Sequence, residues 1–421
     1  MSSLIETNKL NKKRQFANFR FKVYGIFGLS LACGALIYLL INIFSAGSDA
    51  FRQTTVSLNI DLDPIALEAT STSNIRALQN SNTLKVTKKA MLNSLPLVKK
   101  RKDQRNLYKL LSPTAEWSVR DLIMQDPKLI GSNVTLRLPL SSNVDQWYKA
   151  KLKGEAYEGR LNNQQITWLN ELLQKKLMTI QFNSDFFTHA DSRYPEIAGI
   201  AGAVVGSFYS LLICLLISFP LGVAAAIYLE EFAKKTTFTQ FIEANINNLA
   251  AVPSVIFGLL GLAVILNMFG VPRSTALAGG IVLALMTLPT IIIACRSALK
   301  SVPPSIREAG LAMGASKVQV VMHHVMPAAL SGTLTGTIIG LAQALGETAP
   351  LLMIGMIAFI ANIPEVPTDA AASLPVQIYL WAESAERGFV EKTAAAIMVI
   401  IIFLILMNLV AIIVRQKTRQ T

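Results

Sequence analysis

An acid in the middle of an apolar run is the first residue here whose chemistry needs explaining. Glu347 lies in Leu341-Ala342-Gln343-Ala344-Leu345-Gly346-Glu347-Thr348-Ala349-Pro350, inside an apolar block covering 328–360. Even on lenient scales a charged side chain at mid-membrane costs about 2.5–3.5 kcal/mol, so such a residue marks a functional site by default. The competing reading is that Glu347 pairs with a neighbour and fixes helix packing. Pro350 removes a helical hydrogen bond and crowds the carbonyl of Gly346, which predicts a kink beside the acid. Irregular backbone at that depth is tolerated where it lines a cavity. Gln343 adds a neutral amide to the same run, and Thr348 a hydroxyl. Glu347 would itself repel an anion or hold a basic residue. Two arginines stand near the ends of apolar blocks. Arg296, near the end of the block at 276–298, reads most simply as snorkelling to headgroups. Arg273, in the short turn at 270–275, could line an entrance.

A second constellation fills the polar interval 301–327. Pro303-Pro304 suit a helix start, where a missing N–H costs nothing. Gly314 supplies a left-handed residue to end that helix. Ser316 can cap the next, and Pro327 is expected to close it. A short structured hairpin between two apolar blocks reads as a docking knob for a partner.

Other chemistry is excluded. There is no phosphate-cradling G-x-x-x-x-G-K-[ST] loop, so any ATP must be bound by another subunit. No His, Cys or acid cluster suggests a catalytic or metal site, and neither a cofactor nor a nucleic-acid partner is expected. The three cysteines, Cys33, Cys214 and Cys295, fall in apolar blocks and read as packing residues.

The elements that must position these residues are membrane helices. Apolar residues make up 52% of the 421 and charged ones 15%, too greasy for a soluble chain. The blocks 23–44, 197–229, 249–269, 276–298, 328–360 and 394–414 each reach the roughly 20 residues needed to cross the ~30 Å hydrocarbon core. Six spans place both ends on one side. Lys9, Lys12, Lys13, Arg14, Arg20 and Lys22 precede the first block against one acid, Glu6, and Arg415, Lys417 and Arg419 follow the last. The positive-inside rule makes that side the cytoplasm, together with 230–248 and 299–327. Residues 45–196, 270–275 and 361–393 then face out. The first block is too long for a cleaved signal core and reads as an anchor. Pro220, Pro253 and Pro289 predict kinks, and Gly332, Gly336 and Gly340 form a small-residue ridge.

The stretch 45–184 predicts an α+β domain held by its own core. Val56, Leu58, Ile60 and Leu62 alternate, as do Val134, Leu136, Leu138 and Leu140, which predicts two half-buried strands. Asp63-Pro64 should start a helix running to Leu67 and beyond. Asn162 or Asn163 should cap another, with Ile166, Leu169, Leu173 and Leu177 on its buried face. The run at 99–102, with Arg105, reads as a solvated loop.

Glu308, Ala309, Gly314 and Pro327 stand in the register of the EAA loop, so the chain resembles the binding-protein-dependent permeases of ABC importers. Gly310, His324 and Met326 depart mildly from that pattern. Gly346-Glu347-Thr348-Ala349-Pro350 resembles the phosphate branch of the family, as do Asp185-Phe186-Phe187, Pro220-Leu221-Gly222, 227–231, 251–258 and 374–379. Relatives often carry Arg where this chain has Gln343, whose amide could hydrogen-bond an oxyanion without adding charge; the resemblance makes Arg296 and Arg273 candidate anion contacts. The resemblance implies a six-helix type I importer fold, with 185–414 as the permease core and tails at 1–22 and 415–421. It implies that 301–327 forms coupling helices slotting into an ATPase, and that the glycine ridge faces the pathway and the partner permease. It also implies a homologous C-type permease, two ATPase subunits and an extracytoplasmic phosphate-binding protein as partners. The alternatives are a sulfate, molybdate or phosphonate permease, a secondary transporter, or a membrane-anchored sensor. The extra domain, if a docking module, should be removable without loss of assembly.

Overall fold

The computed structural model describes residues 2–68, 79, 81–157, 159–357 and 359–420. The chain opens with α1 (Ser2–Ser48), whose most apolar stretch is not buried at all within the chain. Phe27, Leu31, Ile37 and Ile41 all point outward. A helix apolar all round is one meant for lipid or for another subunit.

Between α1 and the remaining apolar helices lies the α+β domain. Strands β1 (Arg52–Asp61), β2 (Asn133–Pro139) and β3 (Met178–Phe182) form an antiparallel sheet in the order β2-β1-β3. Val56 pairs with Leu138 on one side and Met178 on the other. Val56, Leu58 and Ile60 all point into one core, as period-2 alternation requires. Strand β3 is too short to show that alternation and was not expected.

Helices α2 (Pro64–Leu67), α3 (Thr83–Ser94), α4 (Arg101–Tyr108), α5 (Ala115–Gln125), α6 (Ser142–Lys153) and α7 (Asn163–Gln174) complete the domain. Asp63 Oδ1 accepts from Ile65 N at 3.0 Å and caps α2. The helix does not run on past Leu67 as expected: Glu68 takes a left-handed φ of 58° and ends it. Asn162 caps α7 through a reciprocal box with Gln165. The buried face of α7 is Gln165, Trp168, Leu169 and Leu172; Ile166, Leu173 and Leu177 are only partly covered. Trp168 has the most apolar area to hide, so it turns the helix by one position. The basic run is a solvated loop only over Lys99 and Lys100. From Arg101 it enters α4, which the burial of Leu107 holds to the core while Arg101, Lys102 and Arg105 stay exposed.

A short α8 (Asp185–Thr188) leads to the permease half. There α9 (Ala201–Ile227) carries Pro220 inside and continues through a widened turn, Tyr228–Phe232. Next come α10 (Thr237–Ala250), α11 (Ser254–Leu260, widening over Gly261–Leu266), α12 (Ala276–Lys300, with Pro289 inside), α13 (Pro304–Ala312) and α14 (Lys317–Val320). The last are α15 (Met326–Gly346), α16 (Ala349–Met353), α17 (Leu374–Ala382) and α18 (Gly388–Gln420). Among the described residues five helices are long and apolar enough to cross a membrane, or six if one bent pair counts as a span.

That bent pair corrects the third expected span. The block 249–269 is not straight: α10 and α11 meet at 103°. The 13 residues from Ser254 to Leu266 reach only about 20 Å at 1.5 Å per residue, short of the ~30 Å core. Pro253 has no N–H to continue α10, so it starts a new helix instead. The block 328–360 is likewise broken. Helix α15 stops at Gly346 and α16 starts at Ala349 with Pro350 in its first turn, where a proline costs nothing.

Helices α9, α12 and α15 pack closely through small residues. A Cβ at Gly280 would lie 2.6 Å from Ile213 Cβ, and one at Gly222 2.7 Å from Ile291 Cγ2. The ridge on α15 is spent in the same way: Gly332 meets Ala298 (2.7 Å to its Cβ) and Gly336 meets Ala294, both on α12. Two of the three ridge glycines are therefore taken up inside the chain, against α12. Close approach of backbones needs both surfaces flat, and α12 supplies the matching alanines.

Candidate functional site: a coupling hairpin and a broken helix

The hairpin forms as its local residues dictate, with one exception. Pro303 precedes α13 and Pro304 is its first residue. Gly314 has φ +85°, the left-handed conformation that ends α13. Ser316 Oγ accepts from Gln319 N, and Gln319 Oε1 accepts from Ser316 N at 2.8 Å. The exception is Pro327, which does not close the second helix. Lys317–Gly346 is one continuous helical run. The widened turn Val321–Val325 just before Pro327 gives the ring room beside the carbonyl four residues back. Gly310 also finds its reason, since a Cβ there would lie 2.8 Å from Val320 Cγ2 and push α13 off α14.

Glu308, Ala309 and Gly314 are exposed on the hairpin, together with the apolar side chains of Leu311, Met313, Val318 and Met322. Met313 is 75% exposed. An apolar tip on a rigid knob has the character of an interface core awaiting its partner.

The base of the hairpin is tied down by charges that the sequence reading did not single out. The Arg307 guanidinium straddles the Glu231 carboxylate, Nη2 to Oε1 at 2.6 Å and Nε to Oε2 at 3.3 Å. It also donates to Val302 O (2.8 Å) and Leu299 O (3.0 Å), so the end of α12, the start of α13 and the end of α9 share one side chain. Such a fork fits only a planar, bidentate donor. Arg296 is not snorkelling. Its Nη2 lies 2.8 Å from Glu243 Oε1 on α10 and its Nε 3.5 Å from Glu230 Oε2, and Lys300 Nζ lies 3.6 Å from Glu230. Two acids within reach hold the guanidinium inside the helix bundle. The adjacent acids Glu230 and Glu231 at the end of an apolar block were the signal that could have revealed this lattice.

The second region lies at the far end of α15. Gly336 packs at Ala294, and Glu347 is eleven residues further on, about 16 Å along the axis at 1.5 Å per residue. Arg296 is thus not brought to Glu347. Gln343 is exposed and Glu347 and Thr348 half-buried at the break between α15 and α16. Among the described residues the side chains of Gln343 and Glu347 have no hydrogen-bond or ion-pair partner. Pro350 is buried, pressed against Gly258 of α11, where a Cβ would lie 2.7 Å from Pro350 Cα. Arg273 is exposed, and its Nη2 donates to Asn267 Oδ1 at 3.4 Å.

A broken apolar helix carrying an unpaired acid, joined to a hairpin knob, is the arrangement of a transport subunit, and comparison with known proteins agrees. Residues 218–420 match the profile described as "binding-protein-dependent transport system inner membrane component". The phosphate transport system permease protein PstA of Haemophilus influenzae is 32% identical over 229 residues, 53% of this chain and 78% of that protein. The chain belongs to the binding-protein-dependent permease family. The probable ABC transporter permease YqgI of Bacillus subtilis is 33% identical over 172 residues, covering 41% of this chain and 58% of YqgI. The methionine transporter MetNI in inward-facing conformations covers 52% of this chain and 94% of its own, at 19% identity and a TM-score of 0.43. Residues 8–158 match a domain family of unknown function, DUF3333. As a permease of this family the chain is a multi-pass inner-membrane protein.

Proposed function

We propose that this chain is the A-type transmembrane subunit of an ATP-driven phosphate importer. The observation that carries the reading is the hairpin, with its apolar tip exposed and its base locked to α9 and α12 by Arg307. Support for phosphate comes from the Gly346–Pro350 segment and from relatives named as phosphate permeases. The hairpin docks on an ATPase subunit in the cytoplasm, with both termini on that side. The α+β domain of 45–184 and the break at Glu347 face outward. A homologous second permease completes the pathway, and a binding protein delivers the anion.

When the ATPase dimer closes on ATP, the hairpin is pushed and Arg307 carries the displacement into α9 and α12. Gln343 offers an amide along the pathway. Glu347 supplies no affinity for an anion and takes a cation from the second permease as its partner. The deciding experiment is reconstitution of the complete transporter with its binding protein and uptake measured with phosphate, sulfate and molybdate. Phosphate-selective uptake is expected. Uptake of sulfate or molybdate instead would reassign the substrate and leave the permease role standing.

A further inference from the structure

Lys149 is only 6% exposed, yet its two counter-ions belong to different parts of the molecule. On α6 it pairs with Asp145 one turn back (2.5 Å), and its Nζ reaches Glu391 Oε2 in the first turn of α18 (2.7 Å). Asp145 Oδ1 also accepts from Thr54 N on β1 at 2.7 Å. The backbones are as close as the charges. A Cβ at Gly388 would lie 2.8 Å from Ser142 Cβ and 2.7 Å from Pro195 Cβ. Glu196 Oε1 accepts from Ser142 N at 2.6 Å, and Gln53 Nε2 donates to Glu196 O at 2.9 Å. Next to Glu391, the buried Lys392 donates to Ala198 O (3.0 Å) and lies over the Phe186 ring.

The start of α18 is therefore enclosed between the α+β domain and the segment leading into α9. A loosely tethered module would meet its neighbour through solvated rim charges. Here the charges are buried, and burying an ion pair is tolerated only in a fixed, well-bonded geometry. Burial alone would push the Lys149 ammonium toward its neutral form, but Asp145 and Glu391 outweigh it and raise its pKa, so it stays charged.

We propose that the α+β domain is a fixed part of the moving permease: through Lys149, a positioning residue, it grips the start of α18, through Ser142 and Gln53 it holds the segment leading into α9, and the three travel as one rigid body through the transport cycle. This rests on the permease reading above and assigns a role to the domain of unknown function.

Spin labels at Leu152 on α6 and Val390 on α18, both exposed, test it in the assembled transporter. The distance between them is expected to be the same in the nucleotide-free and ATP-trapped states. A shift beyond the width of the label distribution overturns the proposal. A second arm uses a background lacking the three native cysteines, with Lys149→Cys and Glu391→Cys joined by a short bismaleimide. Before cross-linking, uptake per ATP hydrolysed should fall about tenfold, the equivalent of roughly 1.4 kcal/mol, and cross-linking should restore most of it. Uptake abolished by the cross-link would show that the domain must release α18, and the idea would fail. Lys149→Met alone should lose uptake, whereas Lys149→Met with Glu391→Met and Asp145→Asn should regain it, because uncharged side chains can replace a buried ion cluster and the Asn oxygen still accepts from Thr54 N. Normal uptake by the single variant also overturns it. If the unaltered complex imports no oxyanion, the substrate reading falls, and the label distances still decide this proposal.

Discussion

Arg307 and Glu347 are opposite cases of a charge inside a helical protein, and each makes a separate prediction. Glu231 is nearly buried and receives two of the Arg307 nitrogens, so Arg307→Met leaves an uncompensated carboxylate. Losing one partner of a buried pair costs about 3–5 kcal/mol, and the lower end applies because the guanidinium is a quarter exposed. Arg307→Lys keeps the charge but not the fork across Leu299 and Val302, so it should recover only part of that loss. Thermal unfolding of the purified chain in detergent checks both, and unchanged melting in Arg307→Met would remove the lattice from the account of stability. Glu347 has no partner to lose within the described residues. Glu347→Gln keeps size and hydrogen bonding, so assembly should survive while uptake collapses. Assembly and uptake falling together would mean that Glu347 is a packing partner in the complex and has no part in the pathway.

Among the elements, the hairpin is the one whose geometry hangs on a single torsion. Open space surrounds the position a Cβ would take at Gly314, so only the backbone restricts it. Gly314→Val forces a β-branched residue to φ +85°, a cost on the order of 1–2 kcal/mol, and should misplace α13 against α14. Binding-protein-stimulated ATP hydrolysis is expected to drop sharply while the chain still inserts. Gly314→Asn, which tolerates the left-handed region, should retain most of it. Equal, normal stimulation in both variants would detach the hairpin from coupling. The hairpin was legible because its signals are local: Pro303-Pro304, Gly314 and the Ser316–Gln319 box each act within a few residues. At the breaks, Pro253 and Pro350 signalled a kink but not its size, because hydropathy does not register that a helix ends or turns through 103°.

For the molecule as a whole, the question is what the α+β domain contributes to assembly. A detachable docking module, the expectation from its position in the chain, would let a short linker replace residues 50–180 with assembly intact. The structure gives a different expectation. That deletion removes Lys149, Asp145, Gln53 and Ser142 together, leaving Glu391 without its cation and Glu196 without its donor. The truncated chain should assemble poorly with its partners. Adding Glu391→Leu, which removes the orphaned charge, should recover part of the assembly. Co-purification of the complex measures this, and full assembly of the simple truncation would return the domain to the role of an independent module.

The sequence by itself determined the class of the protein, the hairpin and the two strands that alternate cleanly. Those features follow from hydrophobic period and from caps that act over three or four residues. It also marked Glu347 as a charge that had to be explained. Only the tertiary structure decided where the flat faces and buried charges went. Gly332 and Gly336 could have met any helix, and they meet Ala298 and Ala294 of α12. Arg296 could have reached a headgroup, and it reaches Glu243, more than fifty residues away along the chain. Lys149 finds Glu391 across 242 positions. A partner at such a distance is chosen by how the elements pack, and packing is a property of the whole fold that no local spacing records.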